Sequence, residues 1–148
     1  MKLASHVFEN GAMIPAKYTC DGENILPPLV ISDVPNGAES LAIICDDPDS
    51  PSGTWVHWTI WNIDPKTREI REEEMQGSVG IEGMTTFGKR GYGGPCPGSG
   101  MHRYFFKLYA LDAVLDIPED SKKHDLEKAI EGRILAEGQL MGTYAKRK

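Results

Sequence analysis

Trp55-Val56-His57-Trp58-Thr59-Ile60-Trp61-Asn62-Ile63 packs three tryptophans and four β-branched residues into nine positions, with no glycine or proline among them. That composition suits a pleated, half-buried surface and predicts a β-strand. Strand alternation puts Trp55, His57, Thr59 and Trp61 on one face and Val56, Trp58, Ile60 and Asn62 on the other. Towards the N-terminus, Ser40 to Cys45 is a short apolar run stopped by Asp46-Asp47-Pro48, which reads as a buried strand ended by a proline. Towards the C-terminus, His102 to Leu111 (HRYFFKLYAL) reads as a third strand. Turn clusters at Cys20-Asp21-Gly22-Glu23-Asn24, Val34-Pro35-Asn36-Gly37 and Asp64-Pro65-Lys66 punctuate the chain. The pattern predicts a mostly β, antiparallel β-sandwich in one domain spanning residues 1–148, with one or two short peripheral helices.

The helical signal is confined to residues 122–131. There Ser121 is the expected N-cap, Leu126, Ala129 and Ile130 form an apolar stripe, and Gly132 fits the position just past the end. Arg133 to Tyr144 (RILAEGQLMGTY) suits either a helix or a strand. Gly138, Gly142, Thr143 and Tyr144 tip it towards a strand. Gly88 to Gly100 (GKRGYGGPCPGSG) holds six glycines and two prolines in thirteen residues between apolar segments. Its prolines stiffen a loop whose glycines let backbone approach a ligand, so it is expected to be functional rather than a linker.

The whole chain has 148 residues, 40% of them hydrophobic and 26% charged, with a formal net charge of −6. That supports one real core. It also argues against a generic nucleic-acid binder, which needs a basic face to displace counterions. The longest clean apolar run, Leu41 to Cys45, is far too short to cross a bilayer as a helix, and the first residues lack the apolar core of a signal peptide. Cys20, Cys45 and Cys96 are odd in number and lack CxxC spacing. They argue against a disulfide framework and suit a reducing cytoplasm.

Three places carry candidate chemistry. In Asp46-Asp47-Pro48-Asp49-Ser50-Pro51 an extended backbone would aim Asp47 and Asp49 to the same side, although Asp and Pro are also ordinary turn residues. His57 sits among large apolar neighbours and is either a satisfied core histidine or a site residue held in one tautomer by a nearby carboxylate. In the third strand His102, Tyr104 and Phe106 share one face and Arg103, Phe105 and Lys107 the other. His102 and Tyr104 therefore form a polar pair beside the glycine loop. Arg103 points away, where it can pair with Asp49.

Taken together, the succession DPDSP, VHW, GYGGPCPGSG and HRY resembles the phosphatidylethanolamine-binding protein family, and within it the short bacterial and archaeal branch. The likeness extends through Tyr18 to Asn24 with Pro27-Pro28-Leu29, Phe87-Gly88 and Gly142-Thr143-Tyr144, and so covers nearly the whole chain. It departs from relatives at Leu26, where Ser is frequent, and at Gly98, where a second Pro is frequent. The resemblance implies a β-sandwich with a small anion pocket formed by Asp47, Asp49, His57, His102 and Tyr104, with Gly94 and Pro95 as loop wall. It also implies ligands such as phosphoethanolamine headgroups or other phosphorylated molecules. By analogy with eukaryotic relatives, it implies a protein partner such as a kinase. A homodimer is left open, and no cofactor is called for.

An anion pocket is compatible with a charge of −6, because at physiological salt charges beyond about 8 Å are screened and local donors decide. The expected donors are the imidazoles of His57 and His102, the Tyr104 hydroxyl and the amides around Gly94. Asp47 and Asp49 would hold the histidines in donor form or meet an ammonium on the same ligand. The rival is a small hydrolase using His102 or Cys96, but no nucleophile elbow accompanies them. Two histidines and two carboxylates could gather round a metal, but no HxH, HExxH or CxxC spacing supports such a site.

Overall fold

The computed structural model describes residues 1–71 and 78–146. Two antiparallel sheets account for the fold. The larger has the order β6-β4-β3-β7-β8, formed by Ile81–Glu82, Trp55–Ile63, Ser40–Asp47, Met101–Leu111 and Ile134–Ala145. The smaller has the order β1-β2-β5, from Lys2–Ala4, Leu29–Ser32 and Glu69–Ile70. The expected mostly β, antiparallel sandwich is therefore present. Among the described residues it carries one α-helix, α1 (Lys123–Ile130), and a 3-10 turn at Ala16–Tyr18.

Strand β3 is central and buried along its entire length. Its odd positions, Leu41, Ile43 and Cys45, face the main core between the sheets, together with Trp58, Phe106, Leu29 and Ile31. Ala42 and Ile44 face the opposite side, where Trp61, Leu126 and Ile130 cover them. A strand covered on both faces needs no polar alternation, which is why Leu41 to Cys45 reads as an unbroken apolar run. Helix α1 supplies the outer cover. Its Lys123 Nζ reaches the buried Asp46 carboxylate at 2.8 Å, and Lys107 reaches the same oxygen at 3.2 Å.

The segment expected over 133–144 forms a strand, β8, from Ile134 to Ala145, with Arg133 still in the turn after α1, and it pairs with β7 from Met101↔Ala145 to Leu111↔Ile134. The glycines there mark close approaches: a Cβ on Gly142 would lie 2.5 Å from Ile14, and one on Gly138 2.9 Å from the Met1 carbonyl. The segment before the 3-10 turn also covers the Met141–Thr143 part of this sheet edge, since Gly11 and Ile14 donate to the Met141 and Thr143 carbonyls. A covered edge cannot template pairing with another chain.

Two expectations are corrected. The N-cap is Lys122 rather than Ser121; the Asp125 carboxylate takes the Lys122 N–H at 2.9 Å, while Ser121 is buried and its carbonyl accepts from Met84 N–H. The cysteine count also misled, because Cys20 and Cys96 are joined in a disulfide. They are 76 residues apart in sequence, and their approach depends on two loops meeting, which spacing cannot show. Cys45 is the free, buried third, and the cysteines no longer argue for a reducing compartment.

Candidate functional site

At the end of β3 the chain turns through Pro48, and Asp47 is left facing the main-core side, buried to 3% exposure. One of its oxygens accepts the Asp49 N–H at 2.7 Å, closing the turn. The other meets His102 Nδ1 at 2.7 Å. A carboxylate only accepts, so Nδ1 carries the proton and Nε2 is the ring nitrogen available to a ligand. Two residues along β7, the Tyr104 ring stacks beside His102 with ring centroids 6.5 Å apart. The period of two foresaw this shared face.

His57 arrives by a route that alternation does not foresee. Cys45 pairs with Trp58 and Asp46 with Val56, so His57 is an extra residue opposite β3, a β-bulge. The bulge breaks the face pattern expected for the VHW strand. Trp61 joins the helix-side cluster, while the His57 ring sits edge-on to Tyr104 at 5.1 Å and to Phe87 at 5.2 Å. Its Nδ1 donates to the Gly93 carbonyl at 2.6 Å. Burial pushes its pKa below the usual value, outweighing the Gly93 bond and the nearby carboxylates. The ring is therefore a neutral Nδ1–H tautomer whose Nε2 is an acceptor, a correction to the donor role expected for it.

This protonation state has a measurable consequence. An unfolded histidine takes up its proton near pH 6.5, whereas folded His57 does so at lower pH. Between those two values the unfolded chain binds more protons. His57 therefore makes stability fall as pH drops below about 6.5, and its effect levels off beneath the folded pKa. An NMR titration is expected to show the His57 ring protons changing with a midpoint below 6.5; a midpoint at or above that value contradicts the assigned tautomer.

These residues converge on a cavity of about 170 Å³, lined by Asp47, His57, His102 and Tyr104, with Trp55 and Phe87 at one side and Cys96, Pro97 and Gly98 at the other. That is below the roughly 300–1,000 Å³ that holds drug-sized ligands, so it suits a single small group. The Tyr104 hydroxyl is its most telling feature. The residue is 1% exposed and its O–H has no hydrogen-bond partner among the described residues. Burial above all, then the Asp47 charge, pushes its pKa up, so it remains a neutral donor.

Three of the expected pocket residues lie elsewhere. Gly94 and Pro95 stand behind the wall rather than in it. The Gly94 N–H donates to Asn24 Oδ1 at 2.8 Å, the Pro95 carbonyl accepts from Cys20 N–H, and a Cβ on Gly94 would run into the Tyr18 carbonyl. The neighbouring Gly93 N–H is spent on the His57 carbonyl, so these amides do not face a ligand. The wall itself is the next three residues, which the sequence does not distinguish because glycine and proline recur throughout the loop. Asp49 lies outside the cavity lining. It grips Arg103 through a two-pronged pair, with Nε at 2.9 Å and Nη2 at 2.8 Å, the partnership expected for it. The hydrogen bonds from Arg103 hold the Asp49 carboxyl down to about 2. Cys96, a candidate nucleophile, has its sulfur committed to Cys20.

A small β-sandwich with a polar-floored cavity at the end of its central strand has the architecture of a ligand-binding protein. A sequence model of the phosphatidylethanolamine-binding protein family matches residues 4–145, and the chain belongs to that family. It is 48% identical over 150 residues to a UPF0098 protein of Methanothermobacter thermautotrophicus, covering 99% of each. It superposes with a TM-score of 0.94 on a phosphatidylethanolamine-binding protein homologue from Chlamydia trachomatis, at 42% identity, covering 99% of this chain and 97% of that one. A member of the same family from E. coli gives a TM-score of 0.89 at 25% identity, covering 99% and 98%.

Proposed function

We propose that the chain binds a phosphate-like anionic group, free or as the headgroup of a phosphorylated molecule, in the cavity between β3, β4, β7 and the Cys96–Gly98 wall. The observation that carries this is the buried, unpaired Tyr104 hydroxyl. A buried polar group left without a partner costs about 1–3 kcal/mol, and a ligand oxygen accepting from it removes that cost. His102 is the second donor, through Nε2 when the ring carries its second proton, with Asp47 holding the ring in place. His57 contributes the opposite polarity. Its Nε2 accepts, so the best ligand brings a proton of its own, as a singly protonated phosphate or an ammonium beside the phosphate does. Phosphoethanolamine offers both kinds of group. Asp49 does not touch the ligand in this scheme and instead holds the turn and Arg103.

The geometry favours binding over turnover. His102 and Asp47 resemble the base and orienting carboxylate of a hydrolase, but among the described residues the cavity lining offers them no activated nucleophile: Cys96 is in a disulfide, and the Ser50 hydroxyl is engaged with Ser52 at 3.3 Å. A phosphorylated side chain on a protein partner, a kinase among them, presents the same chemistry, so a protein and a small ligand would compete for this one cavity.

Titration with inorganic phosphate, phosphoethanolamine and acetate, followed by NMR of the histidine rings, tests the assignment. Phosphate and phosphoethanolamine are expected to shift both His57 and His102, with phosphoethanolamine binding more tightly and acetate more weakly than phosphate. Titrations that move neither imidazole refute it.

A further inference from the structure

The cavity wall is built unlike the rest of its loop. Up to Pro95 the loop is fastened to the segment around Cys20 by hydrogen bonds: Tyr92 hydroxyl to the Tyr18 carbonyl at 2.9 Å, Gly94 N–H to Asn24, and Cys20 N–H to the Pro95 carbonyl at 3.1 Å. From Cys96 to Gly100 no backbone hydrogen bond is made among the described residues, and β7 pairing resumes only at Met101. Two of these five residues are glycines, which hold no conformation by themselves. The bond from Cys96 to Cys20 is the one covalent tether on this stretch. Both cysteines are exposed to solvent, and Cys96 lines the cavity directly.

We propose that the Cys20–Cys96 disulfide is a thiol-exchange site that governs the anion cavity. Closed, it holds Cys96, Pro97 and Gly98 against the ligand; opened by a low-molecular-weight thiol, it releases them. Exposed disulfides are the ones that exchange. A thiolate attacks one sulfur, the Cys20–Cys96 bond breaks, a mixed disulfide forms, and the other cysteine leaves as thiolate. A second thiolate then displaces the first as the small disulfide, and both cysteines end reduced. Everything fastened up to Pro95 keeps its hydrogen bonds, so the change is confined to the wall. As far as it concerns anion affinity, the proposal rests on the function proposed above.

The experiment compares the folded chain before and after treatment with dithiothreitol, which is uncharged and does not compete for an anion site. Mass spectrometry after alkylation is expected to show Cys20 and Cys96 becoming reactive while buried Cys45 stays protected. Phosphate affinity is expected to fall at least tenfold. Amide order parameters at Gly98, Ser99 and Gly100 are expected to drop from about 0.85 to below about 0.6, and reoxidation to restore both. Cys20→Ser, which removes the tether but leaves residue 96 in the wall, is expected to reproduce the reduced state. A disulfide that withstands dithiothreitol in the folded protein, or order parameters that do not change on reduction, overturns the proposal. Phosphate that fails to bind even with the disulfide closed overturns the proposed function instead, and the order parameters still decide whether the wall is released.

Discussion

Tyr104→Phe is expected to weaken phosphate binding roughly ten- to hundredfold while leaving the folded chain as stable as before, or more so. The substitution removes one oxygen and nothing else. In the free protein that oxygen is buried without a partner among the described residues, so deleting it removes a desolvated polar group and stabilises the fold by up to about 1 kcal/mol. In the complex the same oxygen donates to an anion, a bond worth about 1.5–3 kcal/mol, and its loss sets the fall in affinity. Calorimetric titration with phosphate and urea denaturation measure the two effects separately. Unchanged affinity would show that the hydroxyl does not face the ligand. A stability loss above about 1 kcal/mol would show that it has a partner in the free protein.

Asp47→Ala acts in the opposite sense, on stability first. The carboxylate satisfies two donors, His102 Nδ1–H and the Asp49 N–H, each at 2.7 Å. Both Asp47 and His102 are less than a tenth exposed. Removing the carboxylate strands one buried imidazole N–H and unfastens the turn after β3, at a cost of about 3–5 kcal/mol in urea denaturation. Asp47→Asn keeps an acceptor oxygen for one of the two donors and is expected to cost about half as much. Asp47→Ala also loses phosphate affinity, because His102 is no longer held by its Nδ1 bond. A loss of less than about 1 kcal/mol for Asp47→Ala would mean that water or another group already serves His102.

Much of this site was visible in the chain as written. His102 and Tyr104, two apart on a strand, need only the alternation of side chains to share a face, whereas Asp47 joined them through the family resemblance and not through any local period. The pairing of Arg103 with Asp49 followed from the opposite face of that strand. His57 was legible as a residue but not as a direction: one inserted position against β3 turned it towards Tyr104 and left the strand's later residues out of step. The glycine loop does stand beside the cavity, yet which of its residues form the wall was not legible. Gly94 and Pro95 are held by Asn24 and Cys20, roughly seventy positions earlier in the chain, and no local pattern records that hold.

The order of residues along the chain therefore determined the four long strands, the turn at Pro48, the helix after Ser121 and the faces on which His102, Tyr104 and Arg103 stand. These depend on backbone sterics and on periods of 2 and 3.6 that operate within a few residues. Tertiary structure alone decided the bulge that aims His57, the joining of Cys20 to Cys96, the burial that keeps His57 neutral and the isolation of the Tyr104 hydroxyl. Each of those is set by which distant segments pack against one another and by how much water they exclude.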